Sequence, residues 1–206
     1  MIIRSAILQT SAPDLASCPP PEIPEFAFIG RSNVGKSSLV NMLTRAKGLA
    51  RVSATPGKTR LINFFTINNS WNLVDLPGYG YAKVGRKDRA KFSSAVADYL
   101  RNRPNLHCTF VLLDARLTPQ QIDLEFIEWM VGCGLPLVLV FTKADKLSAA
   151  AAQANMDAFL SRLQEISTDP PIVLLSSSKL GKGRAEIFAL IASALEQDLD
   201  DEETVA

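Results

Sequence analysis

A single histidine, His107, stands in the 206 residues. A His-rich metal centre or a Ser-His-Asp triad has little to build on, and His107 reads as a structural residue. Cysteine is scarce too. Cys18, Cys108 and Cys133 are odd in number and lack paired spacing, which argues against a disulfide framework. Cys108 and Cys133 lie in or beside apolar segments, so buried thiols in a reducing cytosol are expected. No apolar run approaches the roughly 18 residues of a membrane span. The apolar start, Met1 to Leu8, is too short for a secretory signal, and Gln9 and Asp14 interrupt the residues after it. Internal repeats are also missing, as are low-complexity segments beyond a short acidic tail. The remainder, 47% hydrophobic and 21% charged, is ordinary for a soluble domain, and one domain suffices for this length.

A net charge of +1 hides an asymmetry. Residues 1–110 carry 15 Lys and Arg against 6 Asp and Glu, or +9, while residues 111–206 carry 7 against 15, or −8. A split of this kind points to a basic face with a polyanionic partner. The alternative is that the excess neutralises a bound nucleotide or is a solvated surface.

Residues 1–25 read as an N-terminal strand or arm, about residues 3–9, then an extended connector in which Pro19, Pro20, Pro21 and Pro24 exclude a regular helix. Residues 26–197 alternate apolar strands with helical periodicity. Strands are predicted at Phe26–Ile29, Leu61–Ile67, Trp71–Val74, His107–Leu113, Leu135–Phe141 and Pro171–Leu175. Helices are predicted at Ser38–Ala46, Arg86–Asn102, Pro119–Gly132, Ala149–Ile166 and Lys182–Leu199. Asn68-Asn69-Ser70 reads as a hairpin turn. Residues 198–206 read as an acidic, frayed tail. The pattern predicts an α/β fold: a mostly parallel six-stranded sheet, one antiparallel edge strand and helices on both faces.

Every segment that carries chemistry falls at the C-terminal end of a strand or in an adjacent loop, where such sheets bind ligands. Gly30-Arg31-Ser32-Asn33-Val34-Gly35-Lys36-Ser37 fits G-x-x-x-x-G-K-[ST], the phosphate-binding loop of nucleotide triphosphatases. Gly30 and Gly35 let the backbone wrap a polyphosphate, Lys36 reaches the β- and γ-phosphates, and the Ser37 hydroxyl suits Mg²⁺. Asp75-Leu76-Pro77-Gly78 follows a strand; its carboxylate can hold Mg²⁺ through water and the Gly78 N–H can sense a γ-phosphate. Thr142-Lys143-Ala144-Asp145 fits [TN]-K-x-D. Asp145 can accept from guanine N1–H and N2–H₂, a donor pair adenine lacks, while the Lys143 stem covers the base. Ser176-Ser177-Ser178 sits where a backbone amide can meet guanine O6.

These residues resemble the Ras-like TRAFAC GTPases and, more closely, the EngB (YihA/YsxC) family of bacterial ribosome-biogenesis GTPases. The matches are Gly30–Ser37, Ala54-Thr55-Pro56-Gly57-Lys58-Thr59, Asp75-Leu76-Pro77-Gly78-Tyr79-Gly80-Tyr81-Ala82 and Thr142–Asp145. The resemblance covers roughly residues 3–197. It implies a cytoplasmic GTPase that binds GTP and GDP with Mg²⁺, helps assemble the large ribosomal subunit and is linked to cell division and septation. Within it Ser37 and Thr59 are Mg²⁺ ligands beside Asp75, Thr59 rather than Thr55 because it lies directly before the strand. Gly57, Lys58, Thr59, Arg60 and Leu61 then join the nucleotide-binding set, and Lys36, Thr59, Gly78 and Asn33 the catalytic one.

One position departs from Ras. A Gln that orients the attacking water follows Asp-x-x-Gly there; here it is Tyr79, so intrinsic hydrolysis is expected to be slow. In related potassium-stimulated GTPases an Asn at the place of Asn33 helps hold K⁺, which would neutralise charge beside the phosphates. Equally, Asn33 is a loop residue suited to unusual backbone angles. The expected molecule is a monomeric switch without membrane contact. Its basic stretch from Lys83 to Lys91, with Arg51, Lys58 and Arg60, faces ribosomal RNA. The rival reading is a GTP-dependent, essentially non-hydrolysing binding module at the division site.

Overall fold

The computed structural model describes residues 1–46, 48–50, 61–80, 86–165 and 169–205; along 86–93 and 198–205 it describes the backbone alone. Strands β1 (Ala6–Ala12), β2 (Glu25–Gly30), β3 (Ile62–Ile67), β4 (Trp71–Asp75), β5 (Leu106–Asp114), β6 (Leu137–Thr142) and β7 (Ile172–Leu175) alternate with helices α1 (Lys36–Thr44), α2 (Arg86–Asn102), α3 (Gln121–Gly132), α4 (Ala149–Leu163) and α5 (Arg184–Val205) after β2. The strands form one sheet in the order β1-β3-β4-β2-β5-β6-β7.

The α/β fold is the expected one, with a seventh strand. The N-terminal arm, predicted at residues 3–9, pairs antiparallel with β3 from Ala6↔Ile67 to Ala12↔Ile62. It takes the edge, so the antiparallel strand of the hairpin, β3, lies one place inside it. An isolated arm gives no sequence signal of the strand it will pair with, because its partner lies about fifty or more residues away. β4, β2, β5, β6 and β7 run parallel.

The period-2 alternation of side chains builds two cores. Ala27, Ile29, Val111, Leu113, Leu139 and Phe141 face α2, α3 and α4 through Tyr99, Leu124, Ile127 and Phe159. Phe26, Phe28, Phe110, Leu112, Val138 and Val140 face α1 and α5 through Leu39, Leu43, Ile187 and Ile191. Strands covered on both faces read as continuous apolar runs, and β2 is buried along its whole length.

At the end of the sheet where the parallel strands start, the Glu25 carboxylate is fully buried. It accepts from Arg103 Nη2 (2.6 Å) and Nε (2.9 Å) and from the Tyr99 hydroxyl (2.8 Å). Arg103 also donates to the Pro19 carbonyl at 2.8 Å, so α2's C-terminal side secures the proline connector. Burying a carboxylate is costly unless such partners hydrogen-bond it.

Most predicted boundaries move by no more than three residues. Two expectations change. The backbone of α5 is helical to Val205, through the acidic run expected to fray; no Gly or Pro interrupts it, and Leu, Gln and Glu are good helix formers. Cys133, expected to be buried, is exposed because it follows the last residue of α3, and Cys108 is half-buried on β5; all three thiols are free. His107 stacks on Phe26 with centroids 5.7 Å apart, in keeping with a structural role.

Candidate functional site

The parallel strands β4, β2, β5, β6 and β7 end on one side of the sheet, as the pairs Phe28↔Asp75, Gly30↔Leu112, Asp114↔Thr142 and Phe141↔Leu175 require. Gly30 closes β2. A Cβ there would stand 2.7 Å from the Leu112 carbonyl oxygen and 2.9 Å from Val34 Cγ1, so only glycine fits. The loop turns through Asn33 (φ 64°) and Gly35 (φ 108°), and α1 begins at Lys36, two residues before the predicted start. The left-handed Gly35 turns the loop directly into helix, and being glycine it supplies no side-chain cap. The first-turn N–H groups of α1 therefore point out of the helix toward the loop, the arrangement that receives an anion.

Lys36 leaves this turn to pair with Asp75, whose carboxylate is buried at the end of β4; Asn63 Nδ2 lies 3.5 Å from its other oxygen. Two residues 39 apart in sequence thus meet, and a polyphosphate entering the loop would compete with Asp75 for the ammonium. Gly78 also lies against the loop: a Cβ would stand 2.5 Å from the Gly30 carbonyl oxygen. Leu76 and Pro77 between them are buried, and the Leu76 N–H donates to the Phe28 carbonyl at 3.0 Å. Ser37, half-buried, follows Lys36 in the first turn of α1.

The base motif leaves β6. The Thr142 hydroxyl is 2.6 Å from the Val34 carbonyl oxygen, which ties this strand end to the phosphate loop. Lys143 adopts φ 61°, and its ammonium donates to the Asn33 carbonyl (2.5 Å) and to Asp114 Oδ2 (2.8 Å). Arg116 binds the same carboxylate at 2.8 and 2.9 Å. Burial alone would push Asp114 up, but the bonds from Arg116 and Lys143 outweigh it and hold the carboxyl down at about 2. Asp145 accepts from the Ser177 hydroxyl at 2.7 Å, a bond that lowers its pKa. The Ala144 N–H donates to the Ser176 carbonyl at 3.1 Å, and Ser177 bridges Lys182 through two backbone bonds of 3.1 Å. Ser176 and Ser177 are buried; Ser178, half-buried, follows them. The structure so brings the serine loop and the Thr142–Asp145 turn into contact.

Gly57, Lys58, Thr59 and Arg60 lie outside the described residues, as do Arg51 and the stretch Tyr81–Gly85 that contains Lys83. Leu61 is described, exposed, immediately before β3. Ser37 and Asp75 supply the hard oxygen donors that suit Mg²⁺, which commonly takes one or two protein ligands and completes its shell with phosphates and water. Among the described residues there is no cluster of three His, Cys, Asp or Glu that would hold a metal by protein groups alone.

Sequence reasoning does not single out two carboxylates of the site. Asp114 ends β5 and anchors Lys143. Asp123, buried on α3, accepts from Arg31 Nε at 3.1 Å to each oxygen and from the Tyr79 hydroxyl at 2.9 Å. Burial raises its pKa, opposed by the bond from Tyr79 and the charge of Arg31; burial, reinforced by Asp123, pushes Tyr79 well up. One signal was available: Asp123 sits on the inward stripe of α3 with Ile127 and Met130, an uncomfortable place for a charge without a partner.

A family model described as 50S ribosome-binding GTPase matches residues 25–143. The chain is 50% identical over 193 residues to a probable GTP-binding protein EngB of Bacteroides fragilis, covering 94% of this chain and 96% of that protein. It is 51% identical over 191 residues to the probable GTP-binding protein EngB of Bacteroides thetaiotaomicron, covering 93% and 95%. Among solved structures, the crystal structure of a probable GTP-binding protein EngB superposes with a TM-score of 0.68 at 22% identity, over 84% of this chain and 99% of that one.

The Asp114 pairing has a measurable consequence. A carboxylate with a depressed folded pKa stabilises above its unfolded value, about 3.9, and loses that contribution as pH falls through the folded one. Urea denaturation of wild type and Asp114→Asn should show a wild-type advantage of about 1–2 kcal/mol above pH 4, Arg116 being partly solvated, that vanishes toward pH 2.

Proposed function

Because the chain belongs to the EngB family of GTP-binding proteins, we propose that it is a Mg²⁺-dependent GTPase switch with slow turnover, acting in assembly of the large ribosomal subunit and linked to cell division and septation. The observation that carries the reading is the meeting of four separately recognised segments at one end of the sheet. Lys36 pairs with Asp75, Lys143 reaches the Asn33 carbonyl, and Asp145 meets Ser177. Lys36 and the uncapped start of α1 hold the β- and γ-phosphates, Asp145 and the serine loop hold guanine, and the Gly78 N–H reads the γ-phosphate. Ser37, Thr59 and Asp75 are the residues that would hold Mg²⁺, which when bound neutralises charge on the phosphate oxygens.

Slow turnover follows from Tyr79. Its hydroxyl is engaged by Asp123 and its ring stacks on Phe126 with centroids 4.3 Å apart, so it is not placed to orient water. The same observation favours the second reading, a GTP-dependent, essentially non-hydrolysing module at the division site. The ribosomal reading draws support from the family description and from the charge split, since RNA phosphates reward a basic face. No helix among the described residues is long and apolar enough to cross a membrane. We place the protein in the cytoplasm as a monomer.

Base selectivity tests the guanine assignment. Asp145→Asn should weaken GTP binding and improve xanthosine triphosphate, because the amide donates to the 2-oxo group; unchanged GTP affinity in calorimetry removes Asp145 from the site.

Asn33 stands at φ 64° with its side chain exposed beside the loop, a posture open to a cation. If it holds K⁺, replacing Na⁺ by K⁺ should raise a basal rate on the order of 10⁻³ s⁻¹ or less, and Asn33→Ala should abolish that gain. Equal rates in both salts dismiss K⁺ and leave an external activator.

The partner is tested by co-sedimentation with large ribosomal subunits in GDP, GTP and a non-hydrolysable analogue. Arg86, Lys87 and Arg89 open α2, the helix after the Gly78 segment. Reversing all three to Glu should abolish GTP-dependent association while nucleotide binding survives, and the wild type should show the steeper loss with KCl. A folded variant that still co-sediments overturns the basic-face model. Single-turnover hydrolysis that subunits do not accelerate favours the division-site module.

A further inference from the structure

Asp123 is shared by the residues that directly follow two closely packed glycines of the site. Arg31 follows Gly30, Tyr79 follows Gly78, and both donate to this carboxylate. Gly78 and Gly30 are themselves in close approach, with 2.5 Å between the place of a Gly78 Cβ and the Gly30 carbonyl oxygen. On the other side the Tyr79 ring stacks on Phe126 of α3, and Gly80 leaves room for Ile122 Cδ1, 2.7 Å from where its own Cβ would stand. Residues 78–80 are therefore wedged between the phosphate loop and α3. Asp123 supplies the polar tie across the wedge: one carboxylate, 3% exposed, with a cation from one wall and a hydroxyl from the wedge.

We infer that Asp123 is a positioning residue for triphosphate recognition: through Tyr79 and Arg31 it holds the Gly78 N–H at the phosphate loop and so favours GTP over GDP. The inference rests on the reading of Gly78 as γ-phosphate sensor. A ligand shifts or profits from an arrangement only through contacts that differ between states. GDP has no γ-phosphate, so it gains nothing from a held Gly78; GTP does. A merely structural Asp123 would, when removed, lower stability and weaken both nucleotides alike.

The wedge also carries its own reporter. Trp129 lies beside Phe126, centroids 5.8 Å apart, with the Arg101 guanidinium of α2 over its ring at 5.0 Å. A γ-phosphate that tightens residues 78–80 against Phe126 should therefore change Trp129 emission. Trp71 is buried in the opposite core and contributes a constant background.

The test uses the full chain and measures affinity for GDP and for a non-hydrolysable GTP analogue by calorimetry, with Trp129 fluorescence in parallel. Tyr79→Phe keeps the stacked ring and removes only the hydroxyl. Asp123→Asn keeps shape and removes charge. Each should weaken the analogue about tenfold, the size of one lost hydrogen bond to a charged group, while GDP stays within about twofold. The double variant should be no weaker than the worse single one, because both break the same tie. The analogue-induced change in Trp129 emission should disappear in both. Equal weakening of the two nucleotides, or unchanged affinity for both, overturns the role of Asp123. Gly78→Ala separates the two levels: if it alters the GTP-to-GDP ratio while Tyr79→Phe does not, the positioning role fails alone. If it too leaves the ratio untouched, the sensor reading fails with it. Should Asp123→Asn fail to fold, Tyr79→Phe still decides.

Discussion

Gly78 and Gly30 touch, backbone to backbone, with no space for a single methyl group between them. Much of the site's geometry depends on this contact. It fixes the exit of β4 against the exit of β2, so Asp75 comes within reach of Lys36, and the turn at Gly35 then delivers α1 end-on to the same spot. Close-packed backbone does not deform gradually. A displacement of the phosphate loop is therefore mechanically coupled to residues 78–80, a coupling that the proposed switch would use.

Around that contact, three charge pairs join loops from different strands. Lys36 meets Asp75, Lys143 meets Asp114, and Arg31 meets Asp123. In each, a cation from the phosphate loop or the base motif is held by a carboxylate on another strand or helix. Ion pairs of this kind are poor sources of net stability, since desolvation offsets much of the attraction, yet losing one partner is strongly destabilising. Their value here is placement. They hold the cations of the phosphate loop and of the Thr142–Asp145 turn in fixed positions, which in the proposed function reduces the ordering that nucleotide binding would otherwise require. The pair of Glu25 and Arg103 shows the contrast. It lies at the other end of the sheet, binds the Pro19 carbonyl and anchors the connector.

The two-sided burial of the sheet explains why so much was legible in the residues. A strand covered on both faces must be apolar throughout, and the helices that cover it must be amphipathic, so element order and type follow from hydrophobic periodicity. The glycine and lysine spacing of Gly30–Ser37 was legible because it matches what a polyphosphate demands of a backbone, and Thr142–Asp145 because its carboxylate matches the donors guanine would offer. Cys133 marks where such reasoning is weakest: proximity to an apolar run suggests burial, but one residue beyond a helix end points to solvent.

By itself the sequence determined the α/β alternation, through hydrophobic periodicity along each element, and displayed the Gly30–Ser37, Asp75–Gly78 and Thr142–Asp145 patterns, none of which spans more than about eight consecutive residues. Only the tertiary structure decided that the N-terminal arm is the seventh strand, that Lys36 rests on Asp75, that Lys143 is held by Asp114, and that Arg31 and Tyr79 share Asp123. Those side-chain partners stand 29 to 92 positions apart. The identity of a carboxylate's distant cation carries no local pattern; the pair is recognised only when the fold brings the two together, and burial then makes the pairing obligatory.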